Sequence, residues 1–318
     1  MFNSQEPYIL VFGASVVDIV GFTNVSYIPL NSNPGRVKIS YGGVCRNIAE
    51  NMARIGLNTK FISILGNDET GRGMLEHSRV VGYDMEDSLI TQNGGTPTYM
   101  AVLNECGEMV SAVVDMKSIN ELSYSFIDEK AEAVENAEYV IVDTDNPEKL
   151  EYLLKHYYKK TRFVLDPVSA AKADDVKHLI KYFHTIKPNR HEAEQLAGFG
   201  IKNDETLVRA AEKFHAEGVT NVFISLDADG IFYSDGVTMG KIKANEAIVK
   251  NVTGAGDSFV AGLGYGFMHK LDTLETVRFA IAMSLVTIEH EETIHPEMSY
   301  DKVHETIDKT QWTEVKFK

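Results

Sequence analysis

Short apolar runs alternate with amphipathic stretches along most of the chain. Runs such as YILVF, TKFISILG, AEYVIVD, TRFVLD, HTIKPN and TNVFISL are typical of buried strands. Between them, PEKLEYLLKHYY and DETLVRAAEKFHAEG repeat their apolar residues at the helical period. In GGVCRNIAENMARIG one helical stripe contains Val44, Ile48, Met52 and Ile55, and Gly56 ends the predicted helix. This order predicts an α/β fold, in which helices cover both faces of a mostly parallel sheet.

Two regions, about 19–40 and 96–116, depart from this alternation. Both have the half-buried pattern of hairpins and no intervening helix, which predicts a small β subdomain laid over the main sheet. The sequence contains no internal repeat, low-complexity tract or clear linker. We therefore expect a single domain over 1–318, with a lid drawn from these two regions.

Charge and cysteine content exclude several classes of function. The formal net charge of -15 argues against a general nucleic-acid binder and against attachment to an anionic membrane surface. Cys45 and Cys106 are too few for a disulfide framework or a zinc site. The start of the sequence has no signal-peptide pattern, and no window reaches the apolar length of a membrane span. We expect a cytoplasmic protein that binds neither nucleic acid nor membrane.

The stretch NVTGAGDSFVAGL places Gly254, Ala255 and Gly256 directly before Asp257 and a predicted helix over 259–267. Such a turn directs several N–H groups at one point, where the helix dipole adds partial positive charge and favours an anion. We expect Asp257 to stay ionised and to accept a proton from a hydroxyl that attacks a phosphorus atom. The simpler interpretation is an ordinary turn followed by an acidic first helical turn. Neither a Walker-type phosphate loop nor an early dinucleotide fingerprint is present.

Three other loops follow predicted strands, where open parallel sheets bind ligands. The pair Gly42-Gly43 precedes a helix that carries Asn47, although such a pair more often marks only a turn. In KPNRHE, Asn189 and Glu192 could hold a nucleotide phosphate and a hydrated Mg²⁺, or could simply form a helix-capping box. The turn SLDADG, over 225–230, would suit a nucleotide or any hairpin.

Together, GGVCRNIAENMARIG, KPNRHE and NVTGAGDSFVAGL resemble the signatures of the PfkB (ribokinase-like) carbohydrate kinase family, in order and over essentially the whole chain. The resemblance implies a ribokinase-like three-layer sandwich, with a mostly parallel central sheet and a small β lid. It also implies phosphoryl transfer from ATP, with Mg²⁺, to an alcohol group of a small-molecule nucleoside or sugar.

The resemblance implies a role for each candidate site residue. Asp257 corresponds to the catalytic base, beside an oxyanion hole made by Gly254, Ala255 and Gly256. Glu192 corresponds to the metal-associated position. The positions implied to bind the nucleotide are Asn189, Ser225, Gly230 and Thr253. Those implied to bind the acceptor are Asp18, Gly42, Gly43, Asn47, Thr98 and, as a weaker match, Asp145.

Some positions depart from the family pattern. Asp227 replaces a glycine of the nucleotide-side turn, which places contacts there in doubt. Asn251 replaces an aspartate in a segment that helps to hold a monovalent cation in ribokinase-like members, so activation by potassium is left open. The stretch GGVCRN lacks the lysine of ribokinases, which argues against ribose as the acceptor.

Within the family, TPTYMAVLNECGEMVSAVVDM, LDPVSAAKA, TIKPNRHEAE and VTIEHEETIHPEMS are similar to stretches of pseudouridine kinases. This similarity implies phosphorylation of the ribose 5'-hydroxyl of pseudouridine, with Thr98 and Tyr99 of the lid near the base. Alternatives are a kinase of another nucleoside, ribose or a ketose, and a binding protein that has lost the chemistry. A dinucleotide-dependent oxidoreductase is disfavoured by the missing fingerprint. Exposed strand edges of the lid also suggest a homodimer formed by pairing of lids.

Overall fold

The computed structural model describes residues 2–317, and its centre is a nine-stranded sheet. The strands, in chain order, are β1 Ile9–Phe12, β2 Val16–Thr23, β3 Gly35–Gly42, β4 Thr59–Ile62, β5 Ile64–Gly66, β6 Leu89–Thr91, β7 Thr98–Leu103, β8 Met109–Asp115, β9 Tyr139–Val142, β10 Arg162–Leu165, β11 Thr185–Ile186, β12 Asn221–Ser225, β13 Ile231–Ser234, β14 Met239–Ala244 and β15 Trp312–Lys316. The large sheet has the order β15-β14-β13-β12-β11-β10-β9-β1-β4. Its strands from β4 to β12 pair in parallel, and β13, β14 and β15 are antiparallel additions at one edge.

Helices cover both faces of this sheet. They are α1 Val44–Arg54, α2 Glu69–Val81, α3 Tyr124–Glu129, α4 Ala131–Glu135, α5 Pro147–Tyr157, α6 Ala170–Val176, α7 Arg190–Ala197, α8 Asp204–Ala216, α9 Ala255–Met268, α10 Thr273–Ile288 and α11 Tyr300–Lys309. Short 3₁₀ helices span Lys117–Glu121, Lys177–Tyr182 and Asp227–Asp229. None of the helices within residues 2–317 combines the length and the apolar character that a membrane crossing requires.

The alternating side chains of β1 face two different apolar cores. Leu10 and Phe12 face the core that also contains buried residues of α5, α6, α7 and α8. Ile9 and Val11 face the core formed with α1, α2, α9, α10 and α11. Because successive strand residues point to opposite faces, a central strand with every residue apolar is buried on both sides. The prediction of a three-layer α/β sandwich is confirmed.

A second, four-stranded sheet, here called the small sheet, has the order β3-β2-β7-β8. It joins two antiparallel hairpins through a parallel pairing of β2 with β7. The run TKFISILG, which we expect to form one strand, instead forms two. β4 belongs to the large sheet, and β5 pairs in parallel with β6 in a separate two-stranded sheet. The change occurs at Ser63, which is buried and receives a hydrogen bond from Ser15.

The helix that follows the glycine-rich turn begins earlier than the sequence predicts. α9 starts at Ala255, not at Phe259, so Gly256 and Asp257 lie in its first turn. Gly254 is the N-cap and adopts φ 85°, a left-handed conformation that glycine accepts at little cost. A β carbon at this position would also lie 2.1 Å from the carbonyl oxygen of Thr293. The chain can therefore enter the helix here only with glycine at position 254.

Candidate active site

The carboxyl ends of neighbouring parallel strands meet at one edge of the large sheet, and polar side chains gather there. Asp143 follows β9, Asp166 follows β10 and Lys187 follows β11, and all three are buried. The first turn of α9 and the start of α1 also reach this edge, which brings Asp257 and Asn47 together. This edge is the candidate active site.

Asp257 and Asn47 are in direct contact although 210 residues separate them in the sequence. The side-chain amide Nδ2 of Asn47 donates a hydrogen bond of 2.7 Å to Oδ2 of Asp257. Asn47 is buried, whereas Asp257 keeps some exposure to solvent. A carboxyl group held in this way has a fixed orientation and can still meet a substrate.

The surroundings of Asp257 change its protonation. Burial, and then the nearby Asp166 carboxylate, raise the pKa of Asp257 to about 7, although Asn47, Lys187 and Arg46 act to lower it. Burial thus acts against the ionised form that we expect for Asp257, because desolvation disfavours the charged form. A pKa close to the working pH is the value that favours general-base catalysis.

Backbone donors lie next to this carboxyl group. The first N–H groups of a helix have no intrahelical acceptor, and those of Gly256 and Asp257 are among them. The N–H of Ala255 instead donates to the carbonyl of Val252 at 3.3 Å. Within residues 2–317, the N–H groups of Gly256 and Asp257 thus have no described backbone acceptor, whereas that of Ala255 has one outside the helix. The oxyanion hole implied for Gly254, Ala255 and Gly256 stays a prediction.

A buried lysine supplies positive charge below this helix start. Nζ of Lys187 lies 3.1 Å from Oδ2 of Asp166, and both side chains are more than nine-tenths buried. A β carbon on Gly256 would lie only 2.9 Å from Lys187 Nζ, so the ammonium group lies directly against the helix start. Despite burial, the charges of Asp166, Glu192 and Asp257 raise the pKa of Lys187, which therefore stays protonated.

Sequence reasoning missed Lys187 and Asp166. Each comes directly after a short apolar strand, in IKPN and VLDP. The rule that ligands bind beyond the carboxyl ends of strands would have selected both residues. Only the order of β10 and β11 in the sheet shows that the two side chains meet.

Asn189 and Glu192 form the capping box that the sequence left as an alternative. Oδ1 of Asn189 accepts from the N–H of Glu192 at 2.9 Å, and Oε2 of Glu192 accepts from the N–H of Asn189 at 2.7 Å. Nδ2 of Asn189 also donates to Oε1 of Glu192 at 2.9 Å. Burial, with Asp166 nearby, raises the pKa of Glu192. The capping contact fixes both side chains, and their roles toward a metal or phosphate stay predictions.

No group of three or more His, Cys, Asp and Glu side chains within residues 2–317 is arranged to hold a metal ion. Two buried carboxylates near the strand ends are those of Glu192, in the first turn of α7, and Asp166, after β10, both less than 5% exposed. Mg²⁺ prefers one or two carboxylates together with water and substrate phosphates. The chemistry of these two carboxylates suits a hydrated magnesium ion, and its binding here stays a prediction.

The turn after β12 lies beside this capping box. The N–H of Ser225 donates to the carbonyl of Pro188 at 3.0 Å, which ties β12 to the segment before α7. Gly230 ends the turn, and a β carbon there would lie 2.3 Å from the carbonyl oxygen of Ile242. Asp227, which replaces a glycine of the family pattern, adopts φ 52°. The position thus keeps a left-handed conformation, which aspartate tolerates better than most residues.

The segment before α9 is held to the loop after α10. Nδ2 of Asn251 donates to the carbonyl of Glu291 at 3.0 Å, and Oδ1 accepts from the N–H of Thr253 at 3.0 Å. Thr253 is exposed. Its contact with a nucleotide and the monovalent cation both stay predictions.

Asp18 lies on the small sheet at the side that faces α1. A β carbon on Gly42 would lie 2.0 Å from Oδ2 of Asp18, so the absence of a side chain at Gly42 makes room for this carboxyl group. Burial raises the pKa of Asp18, and the Arg46 charge opposes that shift. Gly43 adopts φ 98° and caps α1, which carries Asn47. Asp18, Gly42, Gly43 and Asn47 are thus brought together.

Thr98 does not join this group. In the small sheet Asp18 is paired with Tyr99, and Thr98 is paired with Val17. Because neighbouring residues of a strand point to opposite faces, Tyr99 shares the face of Asp18 and Thr98 does not. The Thr98 hydroxyl donates to the carbonyl of Thr96 at 2.8 Å. Of these two residues of the small sheet, Tyr99 is therefore the one on the face of Asp18.

Asp145 is linked to the site through its neighbour Asp143. Asp143 accepts from the N–H groups of Ala14 and Asp145, each at 3.0 Å, and so ties β9 to the end of β1. Burial and the Asp145 charge raise the pKa of Asp143 to about 7. The carboxylate of Asp145 is ion-paired with Lys172. A narrow, mostly apolar cavity of about 40 Å³ opens beside Asp143 and Asp145, toward Phe126 and Leu153.

Comparison with known proteins identifies the family. Residues 6–299 match the family described as pfkB family carbohydrate kinase. The chain is 32% identical to the pseudouridine kinase of Escherichia coli strain K12, over 96% of this chain and 98% of that protein. It is 26% identical to the guanosine-inosine kinase of Exiguobacterium acetylicum, over 80% of this chain and 86% of that protein.

Solved structures of other proteins are also similar to this chain. A candidate sugar kinase from Clostridium perfringens is 63% identical, with a TM-score of 0.94 over 98% of this chain and 99% of that one. The ribokinase of Arabidopsis thaliana, solved with ribose and ATP, has the same fold, with 22% identity and a TM-score of 0.84 over 95% of this chain and 98% of that one. The chain belongs to the pfkB family of carbohydrate kinases and is a phosphotransferase that acts on a hydroxyl group.

Proposed function

We propose that this protein is an ATP-dependent kinase that phosphorylates the ribose 5'-hydroxyl of pseudouridine. The observation that carries the proposal is the Asp257 carboxyl group, whose pKa is about 7 and which Asn47 holds at the start of α9. Asn47 lies in turn beside the Gly42-Gly43 segment and Asp18, where an acceptor would bind. The base and the acceptor site are thus next to each other.

The residues at the strand ends suit transfer of a phosphoryl group. Asp257 takes the proton of the attacking hydroxyl, while the N–H groups at the start of α9 and the Lys187 ammonium stabilise negative charge on the phosphoryl group. Magnesium, when bound, offsets the charge of the nucleotide phosphates, and Glu192 and Asp166 are the residues that would hold it. On the nucleotide side, Asn189, Ser225, Gly230 and Thr253 complete the site.

The acceptor side supports a nucleoside. A uracil ring joined through carbon presents polar edges that need partners, and a free sugar has no such ring. Tyr99 shares the face of Asp18 and offers an aromatic ring and a hydroxyl group. The pseudouridine kinase of E. coli, at 32% identity over nearly the full length of both chains, supports this acceptor.

A nucleoside panel tests the proposal. ADP formation is measured for pseudouridine, uridine, inosine, guanosine, ribose and fructose, each with ATP and Mg²⁺. Pseudouridine and uridine form a matched pair that differs only in the bond to the base, and 5'-deoxypseudouridine tests the position of transfer. We expect the highest kcat/KM for pseudouridine and no turnover of the 5'-deoxy analogue. Higher turnover of another nucleoside or a free sugar would reject this acceptor while leaving the kinase assignment in place.

We also infer that two chains pair through their small sheets. A row of apolar side chains crosses all four strands in register, Ile39, Ile19, Met100 and Val113. Ile39, Met100 and Val113 are 63%, 46% and 59% exposed, and every residue of the edge strand β8 is exposed. An apolar surface of this kind next to an open strand edge is typical of an interface.

Sedimentation of the wild-type protein and of Val113→Lys tests this pairing. We expect a dimer for the wild type and a monomer for the variant, because a buried lysine would lose its hydration. Val80→Lys is the matched control, since Val80 is 78% exposed on α2, outside the small sheet. A wild-type monomer at all concentrations would contradict the inference.

A further inference from the structure

A chain of buried polar contacts leads along α1 to the candidate base. Nη1 of Arg46 donates to Oε2 of Glu50 at 2.5 Å, and Nη2 of Arg46 donates to Oδ1 of Asn47 at 2.6 Å. Asn47 then donates to Asp257 at 2.7 Å. Arg46, Glu50 and Asn47 are 3%, 3% and 6% exposed, so water does not compete freely for these contacts.

Glu50, at the end of this series of contacts, is also held by two further side chains. Oε1 of Glu50 accepts from Nε of Arg54 at 2.8 Å, and Oε2 of Glu50 lies 2.8 Å from Nε2 of His77 on α2. Burial alone would raise the pKa of Glu50, but His77, Arg46 and Arg54 lower it to about 2. Glu50 is therefore ionised at neutral pH, and it pairs with the Arg46 guanidinium.

The contact between Arg46 and Asn47 determines which atom of the amide faces Asp257. An asparagine amide can present either its oxygen or its NH₂ group after a half-turn. A guanidinium group only donates, so Arg46 can pair with Oδ1 and not with Nδ2. With Oδ1 turned toward Arg46, Nδ2 remains for Asp257.

We propose that Arg46 is a positioning residue, which fixes the amide of Asn47 so that it donates to Asp257 and cannot accept from it. This inference rests on the proposed role of Asp257 as the base. The donated hydrogen bond favours the ionised carboxylate that abstracts a proton. In the flipped orientation, Oδ1 of Asn47 would favour the protonated and inactive acid.

The charged groups around Asp257 define the expected direction of the change. Arg46 acts from α1, Lys187 from the end of β11 and Asp166 from the end of β10. Asp166 raises the pKa of Asp257, whereas Lys187, Arg46 and the Asn47 hydrogen bond lower it. Loss of Arg46 removes a positive charge and frees the amide to flip, and both changes raise the pKa of Asp257 above its value of about 7.

The experiment compares Arg46→Met and Arg46→Lys with Arg54→Met. Arg54 is on the same helix and pairs with the same Glu50, but its described contacts do not include Asn47, so it is the matched control. Carboxyl ¹³C resonances of the enzyme without substrates are titrated, and the Asp257 signal is identified by its loss in Asp257→Asn. The pH dependence of kcat/KM is measured on the same proteins.

For Arg46→Met we expect the pKa of Asp257 to rise by about one unit or more, with a parallel shift of the acidic limb of kcat/KM. Arg46→Lys keeps the charge but replaces the two donating nitrogens by a single ammonium group, and it should give a smaller shift. Arg54→Met should lower the melting temperature and leave the pKa of Asp257 unchanged. If Arg46→Met lowers stability but leaves the Asp257 titration as in the wild type, the positioning role is wrong.

The two readouts separate this inference from the proposed function. The carboxyl titration needs no substrate, so an unshifted Asp257 signal rejects the role of Arg46 whatever the acceptor. If instead the titration shifts as expected while the wild type phosphorylates no member of the panel, the positioning role stands as a property of the site and the proposed acceptor is rejected.

Discussion

Burial and polar contacts differ between the small sheet and the Asp257 centre, which comprises Asn47, Asp166, Lys187 and Asp257. In the centre, charged and amide groups are held by short contacts beneath the strand ends, as Lys187–Asp166 at 3.1 Å and Asn47–Asp257 at 2.7 Å show. In the small sheet, by contrast, β8 is exposed along its whole length, and the described contact of the Tyr99 hydroxyl is to a methionine sulfur.

This contrast indicates different roles for the Asp257 centre and the small sheet. Buried groups held by direct contacts fix the positions and protonation of the reacting groups, because desolvation strengthens their interactions. Exposed strand residues can change without loss of the core, so they suit selection among acceptors. We therefore expect changes in the centre to lower kcat, and changes in the small sheet to act on KM.

The largest effect should come from Asp257→Asn. We expect kcat to fall on the order of 10²-fold or more, with binding of nucleotide and nucleoside largely kept, because asparagine fills the same space but cannot accept the proton. Asp301→Asn is the matched control, since Asp301 also lies in the first turn of a helix but is exposed. Steady-state rates and calorimetric binding are compared, and an unchanged kcat would disprove the role of Asp257 as base.

Much of the fold could be predicted from the sequence, because the patterns that determine single strands and helices lie within short segments. A strand such as β1, buried on both faces, must consist of consecutive apolar residues, and α1 must repeat them at the helical period. Asp257 and Asn47 could be found because glycines mark both segments, Gly42-Gly43 and the GAG turn. Each of these signals lies within a few residues of the side chain that it marks.

Other features depend on distant parts of the chain. Lys187 and Asp166 meet only because β10 and β11 are neighbours in the sheet, and no local pattern determines that order. A single-residue difference in register decides that Tyr99, and not Thr98, shares the face of Asp18. The pKa of Asp257 likewise depends on burial by elements far apart in the sequence.

Substitution of Lys187 or Asp166 should have a smaller effect. It should shift the pH dependence of kcat/KM, in opposite directions for the two residues. Lys187 lowers and Asp166 raises the pKa of Asp257, which is about 7. Since the base acts when ionised, Lys187→Met should move the acidic limb of kcat/KM to higher pH, and Asp166→Asn should move it to lower pH. The free energy of unfolding should fall by about 3 kcal/mol in Lys187→Met, because Asp166 is left buried without its partner.

The exposed pair Lys177–Asp174 supplies matched controls for these two variants. Lys177→Met and Asp174→Asn should leave both the pH profile and the stability unchanged, because exposed ion pairs contribute little. Shifts of the same sign in Lys187→Met and Asp166→Asn would contradict the electrostatic account of the centre.

The smallest effect should come from the small sheet, and it should appear in KM alone. Tyr99→Ala removes an aromatic ring on the face of Asp18. We expect KM for the nucleoside to rise about tenfold, because one ring that could stack on the base is lost. The value of kcat should stay within twofold of the wild type. Thr98→Val is the control on the neighbouring position. Its side chain faces the other way, so both constants should stay within twofold of the wild type. If Thr98→Val raised KM and Tyr99→Ala did not, the acceptor would bind against the opposite face. That face carries Val17 and Thr98, which are paired in the small sheet.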